Sequence, residues 1–276
     1  MRIVIAIGLV IACAAAPPAR AGQDNAATRA GYDEILDLHV RDGLVYYRAL
    51  KSQRAKLDVY VASLAGVSLD SSPPNEQMAF WLNAYNAFVL KTVIDHYPIQ
   101  QRTPAFPARS IRQIPGAFER TQHRAAGRMV TLDQIEQTIL SGFHEPRLYL
   151  ALGRGAVGSG RLRSEAFTAE TLERQLAEVA AECANRAQCL EVDRAAQRVL
   201  VSSIFSWRAD GFIAAYAGAA SGAFAARSPI ERAVLAFVEP KLVAAEKELL
   251  ARSQFTVAFR PFDWALNDLT GGHPGR

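Results

Sequence analysis

The residues of this chain best suited to chemistry lie in a glycine-rich, cationic segment, residues 150–163, which reads LALGRGAVGSGRLR. Glycine lets backbone N–H groups approach a ligand closely, and guanidinium groups bind carboxylates and phosphates. The pattern therefore indicates a site for an anionic ligand, formed by four arginines and one serine. The candidate ligand-binding residues are Arg147, Arg154, Ser159, Arg161 and Arg163.

A second interpretation of the same arginines involves no ligand. Acidic residues stand on both sides of the segment, at Asp133, Glu136, Glu145 and Glu165. Arginines near such residues pair with them or remain in solvent. In either interpretation Arg154 is expected at the surface, so that its replacement by alanine leaves the fold intact.

The same segment also allows a hydrolytic interpretation. Ser159 is flanked by glycines, which would expose its hydroxyl as a nucleophile. His144 is the nearest candidate base, and Glu136 is a candidate to orient it. The Gly-x-Ser-x-Gly elbow of many hydrolases is absent, because Val157 and Arg161 occupy its outer positions. A serine hydrolase is therefore the alternative to a binding protein.

Residues 153–158 match the Gly-x-Gly-x-x-Gly pattern, which is a weak signal by itself. A dinucleotide site needs a helix that begins at the last glycine and faces the pyrophosphate, and no βαβ unit is visible here. His39 and His123 have no partner at the spacing of metal ligands. The sequence therefore predicts no cofactor and no metal centre.

Helical periodicity dominates the elements that must position these residues. The predicted helices span about 32–40, 50–64, 76–96, 133–140, 168–181, 204–216, 229–237 and 240–252. The predicted strands span about 128–132, 147–152, 199–203 and 255–262. This order predicts an α+β fold, a helix-rich single domain packed around a small, mainly antiparallel sheet.

The N-terminus predicts an exported protein. Residues 3–16 are almost wholly apolar after Arg2, and Ala19-Arg20-Ala21 fits a signal-peptidase site. We therefore expect a signal peptide at 1–21, a single domain at 22–276, and a periplasmic or secreted location. The alternative is a lipoprotein acylated at Cys13. The apolar run is too short to span a membrane, and no transmembrane segment is expected in the mature chain.

Charge and cysteines add two further expectations. The whole chain has 31 basic and 27 acidic residues. Removal of the leader takes away Arg2 and Arg20, so the mature chain has a formal net charge of only +2, and no nucleic-acid partner is expected. Cys183 and Cys189 remain after cleavage. Two cysteines six positions apart in an exported protein predict one disulfide bond.

A series of short motifs resembles the domain of unknown function 547 family. They are WLNAYNA at 81–87, HYP at 96–98, SIR at 110–112, VTLDQIE at 130–136, AL at 151–152, LR at 162–163, EAFT at 165–168, IFSW at 204–207 and FDWALND at 262–268. The motifs follow the family order over about 32–268. The resemblance implies an exported bacterial protein with one domain and unestablished biochemistry.

The chain departs from this family where chemistry would be expected. Relatives commonly have an asparagine and two cysteines at the positions of Gly153, Arg154 and Ser159, and histidines at the positions of Gln137 and Tyr149. A thiolate nucleophile needs a cysteine with a nearby base. Any thiol chemistry of the family is therefore expected to be lost here.

These observations together predict a non-catalytic protein that binds through the loop 153–163. The expected partner is an anionic small molecule, a cell-envelope component or another protein. Hydrolysis by Ser159 with His144 and Glu136 remains the alternative.

Overall fold

The structure is a computed structural model that describes residues 21–252 and 254–270, with side chains from residue 28 onwards. The predicted signal peptide, apart from Ala21, and the alternative lipidation site Cys13 lie outside the described residues. Within the described residues, no helix is long and apolar enough to cross a membrane.

Helices make up most of the fold. They are α1 (Ala21–His39), α2 (Tyr47–Ser52), α3 (Ala55–Ser63), α4 (Pro74–His96), α5 (Leu132–Gln134), α6 (Leu172–Ala184), α7 (Ser203–Trp207), α8 (Ala209–Tyr216), α9 (Pro229–Val238) and α10 (Ala244–Ala251). Helix α5 continues as one π-helical turn, Ile135–Ile139, and a 3-10 turn, Leu140–Phe143. The other 3-10 turns are Leu64–Gly66, Ile111–Gln113, Pro146–Leu150, Ala217–Ala219, Gly222–Phe224 and Glu239–Lys241.

The strands form three small sheets. They are β1 (Val40–Arg41), β2 (Leu44–Val45), β3 (His123–Ala125), β4 (Arg128–Val130), β5 (Leu190–Asp193), β6 (Arg198–Ser202) and β7 (Thr256–Arg260). The pairs β1–β2, β3–β4 and β5–β6 are antiparallel, whereas β6 and β7 are parallel. The predicted α+β fold with a small, mainly antiparallel sheet is thus confirmed, and β5 is a strand that the sequence analysis missed.

Helix α4 lies at the centre of the core. A helix that is apolar around its whole circumference must be covered on every side, and α4 is buried almost without interruption from Trp81 to Ile94. Pro74 begins it, since proline at the first helical position needs no N–H partner. The polar residues among its buried ones are Thr92 and two asparagines, Asn83 and Asn86.

These two asparagines fasten the glycine-rich loop to α4. The side chain of Asn86 accepts from the N–H of Gly153 (2.8 Å) and donates to the carbonyl of Ala151 (3.3 Å). The side chain of Asn83 accepts from the N–H of Phe167 and donates to its carbonyl, both at 2.8 Å. Since a buried loop must satisfy its backbone groups, α4 determines where both ends of the loop lie.

The predicted strand at 147–152 is wrong. Pro146–Leu150 form a 3-10 turn, which Pro146 begins and the side chain of Glu145 caps by accepting from the N–H of Arg147. Leu148, Tyr149 and Leu150 are all buried. A short apolar run that is buried throughout does not distinguish strand from helix by its periodicity.

Candidate functional site

A buried charged cluster lies beneath the glycine-rich loop, with Glu136 at its centre. The π-helical turn after α5 presents this carboxylate. It accepts from Nε (3.1 Å) and Nη2 (2.7 Å) of Arg154, from Nη2 of Arg208 (2.7 Å) and from the hydroxyl of Tyr85 (3.0 Å). Four hydrogen bonds thus occupy the lone pairs of one carboxylate, which is the geometry of a strong, charge-assisted network.

The electrostatics of the cluster keep Glu136 ionised. Burial by itself would raise the pKa of Glu136, but the guanidinium groups of Arg154 and Arg208 outweigh burial and hold that pKa at about 2. Burial, followed by the charge of Glu136, raises the pKa of Tyr85 well above its usual value. Glu136 is therefore a permanent anion at neutral pH and a poor proton acceptor.

The expectation that Arg154 lies at the surface is wrong. Its side chain is only 2% exposed, and besides Glu136 it donates to the carbonyls of Tyr149 (3.2 Å) and Leu152 (3.4 Å). The backbone N–H of Arg154 donates to Oγ of Ser159 (3.0 Å). Arg154 thus supports the loop from inside, as one half of a buried ion pair.

The remaining arginines of the loop region also bind acidic residues of the chain itself. Arg147 pairs with Glu145 (2.7 Å) and Glu173 (2.8 Å), Arg161 with Glu182 (2.9 Å), and Arg163 with Glu165 (2.7 Å) and Glu178 (2.6 Å). Glu173, Glu178 and Glu182 all belong to α6. These pairs therefore join the loop region to α6.

The glycines of the loop serve packing within the protein. A Cβ atom at Gly160 would lie 1.5 Å from the carbonyl oxygen of Leu150, and one at Gly158 would lie 2.7 Å from the backbone N of Asp263. A side chain at either position would collide with backbone. The glycines thus allow other backbone segments of the same protein to approach the loop closely.

The residues of the hydrolase alternative do not form a catalytic triad. Ser159 lines a small cavity beside the disulfide-bonded Cys183 and Cys189, whereas His144 is exposed and lines a different cavity. In the part of the chain that the structure describes, no hydrogen bond joins any two of Ser159, His144 and Glu136. The structure therefore gives this alternative no geometric support.

The described residues contain a groove that the sequence analysis did not predict. Two cavities, of about 190 Å³ and about 680 Å³, share Trp207 and Arg208 in their walls, and we call them together the Trp207 groove. The smaller cavity is lined by Arg112, Phe118, Asp133, Glu136, Gln137, Arg154, Trp207, Arg208 and Trp264. The lining of the larger one includes His144, Glu145, Tyr149, Ser206 and Asp210.

Aromatic rings form one wall of this groove. Trp207 is 44% exposed, and its ring lies 4.9 Å from that of Phe262 and 6.2 Å from that of Trp264. The guanidinium of Arg112 lies 4.6 Å from the centre of the Trp264 ring, and that of Arg208 lies 4.7 Å from the centre of the Tyr149 ring. Both guanidinium groups thus lie within cation–π distance of an aromatic face.

The polar groups of the smaller cavity include a carboxyl group without a donor. Asp133 is half-buried, and none of the described residues donates a hydrogen bond to its side chain. Burial, followed by the negative charge of Glu119, raises the pKa of Asp133. The lining therefore places three guanidinium groups beside two carboxyl groups, one with a lowered pKa, Glu136, and one with a raised pKa, Asp133.

One other prediction is confirmed. Cys183 and Cys189 form the predicted disulfide bond, with their Cα atoms 5.1 Å apart. Among the described residues, no three His, Cys, Asp or Glu side chains lie close enough together to hold a metal ion.

Comparison with known proteins gives a match to a family model and to no individual protein. No curated protein and no solved structure matches it. A family model described as "Protein of unknown function, DUF547" matches residues 69–182, which run from the segment before α4 through the charged cluster and the glycine-rich loop to α6. This match supports the assignment of the chain to the DUF547 family of proteins of unknown function.

Proposed function

We propose that this chain is an exported, non-catalytic binding protein that takes an anionic, ring-containing ligand in the Trp207 groove. The observation that carries the proposal is Trp207, which is 44% exposed at the junction of two cavities. An exposed tryptophan inside a concave site, with polar groups converging beside it, is the usual composition of a small-molecule site.

The charges of the groove favour an acid group in its smaller cavity. Arg112 and Arg208 line that cavity. Arg112 is held by Glu119 and by the ring of Trp264, and Arg208 by Glu136 and by the ring of Tyr149. A preorganised guanidinium binds a carboxylate or phosphate with little loss of side-chain entropy. The larger cavity contains Glu145 and Asp210, so we place the uncharged part of the ligand there.

The residues around Glu136 support a role without catalysis. The positions at which the resemblance implies a cysteine and two histidines hold Arg154, Gln137 and Tyr149 in this chain. Arg154 donates to Glu136, and Arg208 donates to Oε1 of Gln137 (3.0 Å) and stacks on Tyr149. These three positions thus lie close together around Glu136. An ion-pair network stands there in this chain, where the resemblance implies a nucleophile and a base.

The loop 153–163 keeps a role in this proposal, although a different one from direct binding. Arg154 contributes to the lining of the smaller cavity and holds Glu136, while Arg161 and Arg163 attach the loop region to α6. The loop therefore supports the floor of the groove. Arg208, which the sequence analysis did not select, is the candidate for direct contact with the ligand.

Export is supported by the leader-like sequence at 1–21 and by the Cys183–Cys189 bond. Disulfide bonds persist in oxidising compartments such as the bacterial periplasm. An exported protein meets cell-envelope saccharides, some of which carry a ring and an acid group together. N-acetylmuramic acid is a suitable probe for this reason, and N-acetylglucosamine is its matched analogue without the carboxylate.

Isothermal titration with these two sugars tests the proposal. We expect N-acetylmuramic acid to bind at least tenfold more tightly than N-acetylglucosamine, and Trp207→Ala to weaken binding at least tenfold. Arg208→Gln should remove the preference for the acid. The matched controls are Tyr46→Ala, at an aromatic residue with 42% exposure, and Arg252→Gln, at an arginine with 67% side-chain exposure; both lie outside the groove.

Two further variants test the hydrolase alternative. An esterase and amidase panel is run on the natural protein, on Ser159→Ala and on His144→Ala. We expect no turnover in any of them. Turnover that disappears with Ser159→Ala would contradict the binding-only role, and equal affinities for the two sugars would contradict the anion preference.

A further inference from the structure

A further cavity, which shares no lining residue with the Trp207 groove, lies among α1, α3, α4 and residues 167–170. Its volume is about 340 Å³. Much of its wall is apolar and comes from Leu64, Val67, Leu69, Phe80 and Phe167. A concave, solvent-accessible pocket of this size, whose wall is about half apolar, is suited to a small ligand with an apolar part and a polar head.

One polar group in this wall has no partner within the protein. Tyr60 is 6% exposed and its ring stacks on that of Tyr32 with centres 4.2 Å apart. The hydroxyl of Tyr60 forms no hydrogen bond with any of the described residues, although Tyr60 lines the cavity. The hydroxyl of a largely buried tyrosine normally has a hydrogen-bond partner, and that of Tyr60 remains accessible from the cavity. A ligand with an acceptor oxygen in this cavity would supply the missing partner.

The charged residues that line the cavity indicate the head group of such a ligand. They are Arg29, Glu76 and Glu170, of which the two glutamates are exposed. Among the side chains that the structure describes, none forms an ion pair with Arg29 or Glu76. Hydrogen bonds with its own backbone and with Thr168 lower the pKa of Glu170, which is therefore ionised. Two carboxylates against one guanidinium disfavour an anionic head and provide acceptors for hydroxyl groups.

We propose that this cavity binds a single acyl chain whose ester carbonyl accepts from Tyr60 and whose neutral, hydroxyl-bearing head lies beside Glu76 and Glu170. An apolar cavity of about 150 Å³ holds one benzene molecule. By that measure about 340 Å³ has room for about a dozen non-hydrogen atoms, which corresponds to an acyl chain of about ten carbons.

A series of monoacylglycerols tests this site by isothermal titration of the full mature chain below the micelle concentration of each probe. From the hexanoyl to the decanoyl compound, affinity should rise by about fourfold per methylene group, because each one leaves water. Beyond about twelve carbons it should stop rising, since the cavity is full. Decanoate, whose head is anionic, should bind more weakly than monodecanoylglycerol.

Two variants locate the binding. Val67→Trp fills the cavity from a partly exposed position between helices, and it should abolish binding of monodecanoylglycerol. Tyr60→Phe keeps the stacked ring and removes the hydroxyl, so affinity should fall about two- to tenfold. The matched control is Val243→Trp, at a residue with 64% exposure elsewhere on the surface, which should leave the affinity unchanged. Near-UV circular dichroism verifies that each variant is folded.

Each contrary result overturns a named part of the proposal. No binding of any monoacylglycerol, or full binding by folded Val67→Trp, rules out the cavity as an acyl site. Affinity that continues to rise to sixteen carbons indicates adsorption on the surface instead. Unchanged affinity in Tyr60→Phe refutes the contact between the carbonyl and the hydroxyl, and tighter binding of decanoate refutes the neutral head group.

Discussion

Replacement of Arg154 is expected to destabilise the fold, although the residue lies in a loop. Arg154→Met removes the charge and keeps most of the volume. It deprives Glu136 of two hydrogen bonds, and the carbonyls of Tyr149 and Leu152 of one donor each. Removal of one partner from a buried ion pair typically costs about 3–5 kcal/mol. Because Glu136 keeps Arg208 and Tyr85, we expect the lower limit, about 3 kcal/mol.

Urea denaturation followed by far-UV circular dichroism measures this difference in the free energy of unfolding. Glu136→Gln in the Arg154→Met background should not recover the loss, because it leaves the largely buried guanidinium of Arg208 without its carboxylate. Arg252→Met, in a pair whose two side chains are 67% and 66% exposed, is the control and should cost less than about 0.5 kcal/mol. A loss below about 1 kcal/mol for Arg154→Met would refute the inference that this ion pair is buried and structural.

Three further predictions concern pH, the disulfide bond and the leader. Burial, followed by the charge of Lys91, lowers the pKa of His123 to about 4. The folded state thus favours neutral imidazole, and this contribution to stability is present above about pH 6.5 and lost between about pH 6.5 and 4. His123→Phe, which keeps the stack on Phe88, should remove that part of the loss in urea titrations across this range; an unchanged pH dependence would contradict it. Serine at both Cys183 and Cys189 should cost about 2 kcal/mol, because it releases a loop closed across a sequence separation of 6; equal urea midpoints with and without reductant would argue against this. Mature protein from the native host should begin at Gly22, and an intact mass that shows acylated Cys13 would favour the lipoprotein alternative.

Much of the secondary structure could be predicted because its causes are local. The residues of α4 form one long, mostly apolar run, and the prolines at 74 and 98 stand at its two ends. Helix α9 begins at Pro229 as expected, with Ser228 and Glu231 forming a capping box. Prediction failed where a short apolar segment fits both a strand and a helical turn. The turn at Pro146–Leu150 was taken for a strand because three consecutive buried side chains carry no periodicity.

The sequence by itself determined the helix-rich α+β class, the central helix α4 and the disulfide bond, since each depends on neighbours within a few turns of the chain. It also selected Glu136 and Arg154, although with the wrong roles. Only the tertiary structure decided that Arg154 is buried, because its environment is set by partners 18 residues away at Glu136 and by α4. Arg208 reaches the same carboxylate across 72 residues. A cluster assembled over such separations leaves no periodic trace in the sequence, and the Trp207 groove exists only once the chain has folded.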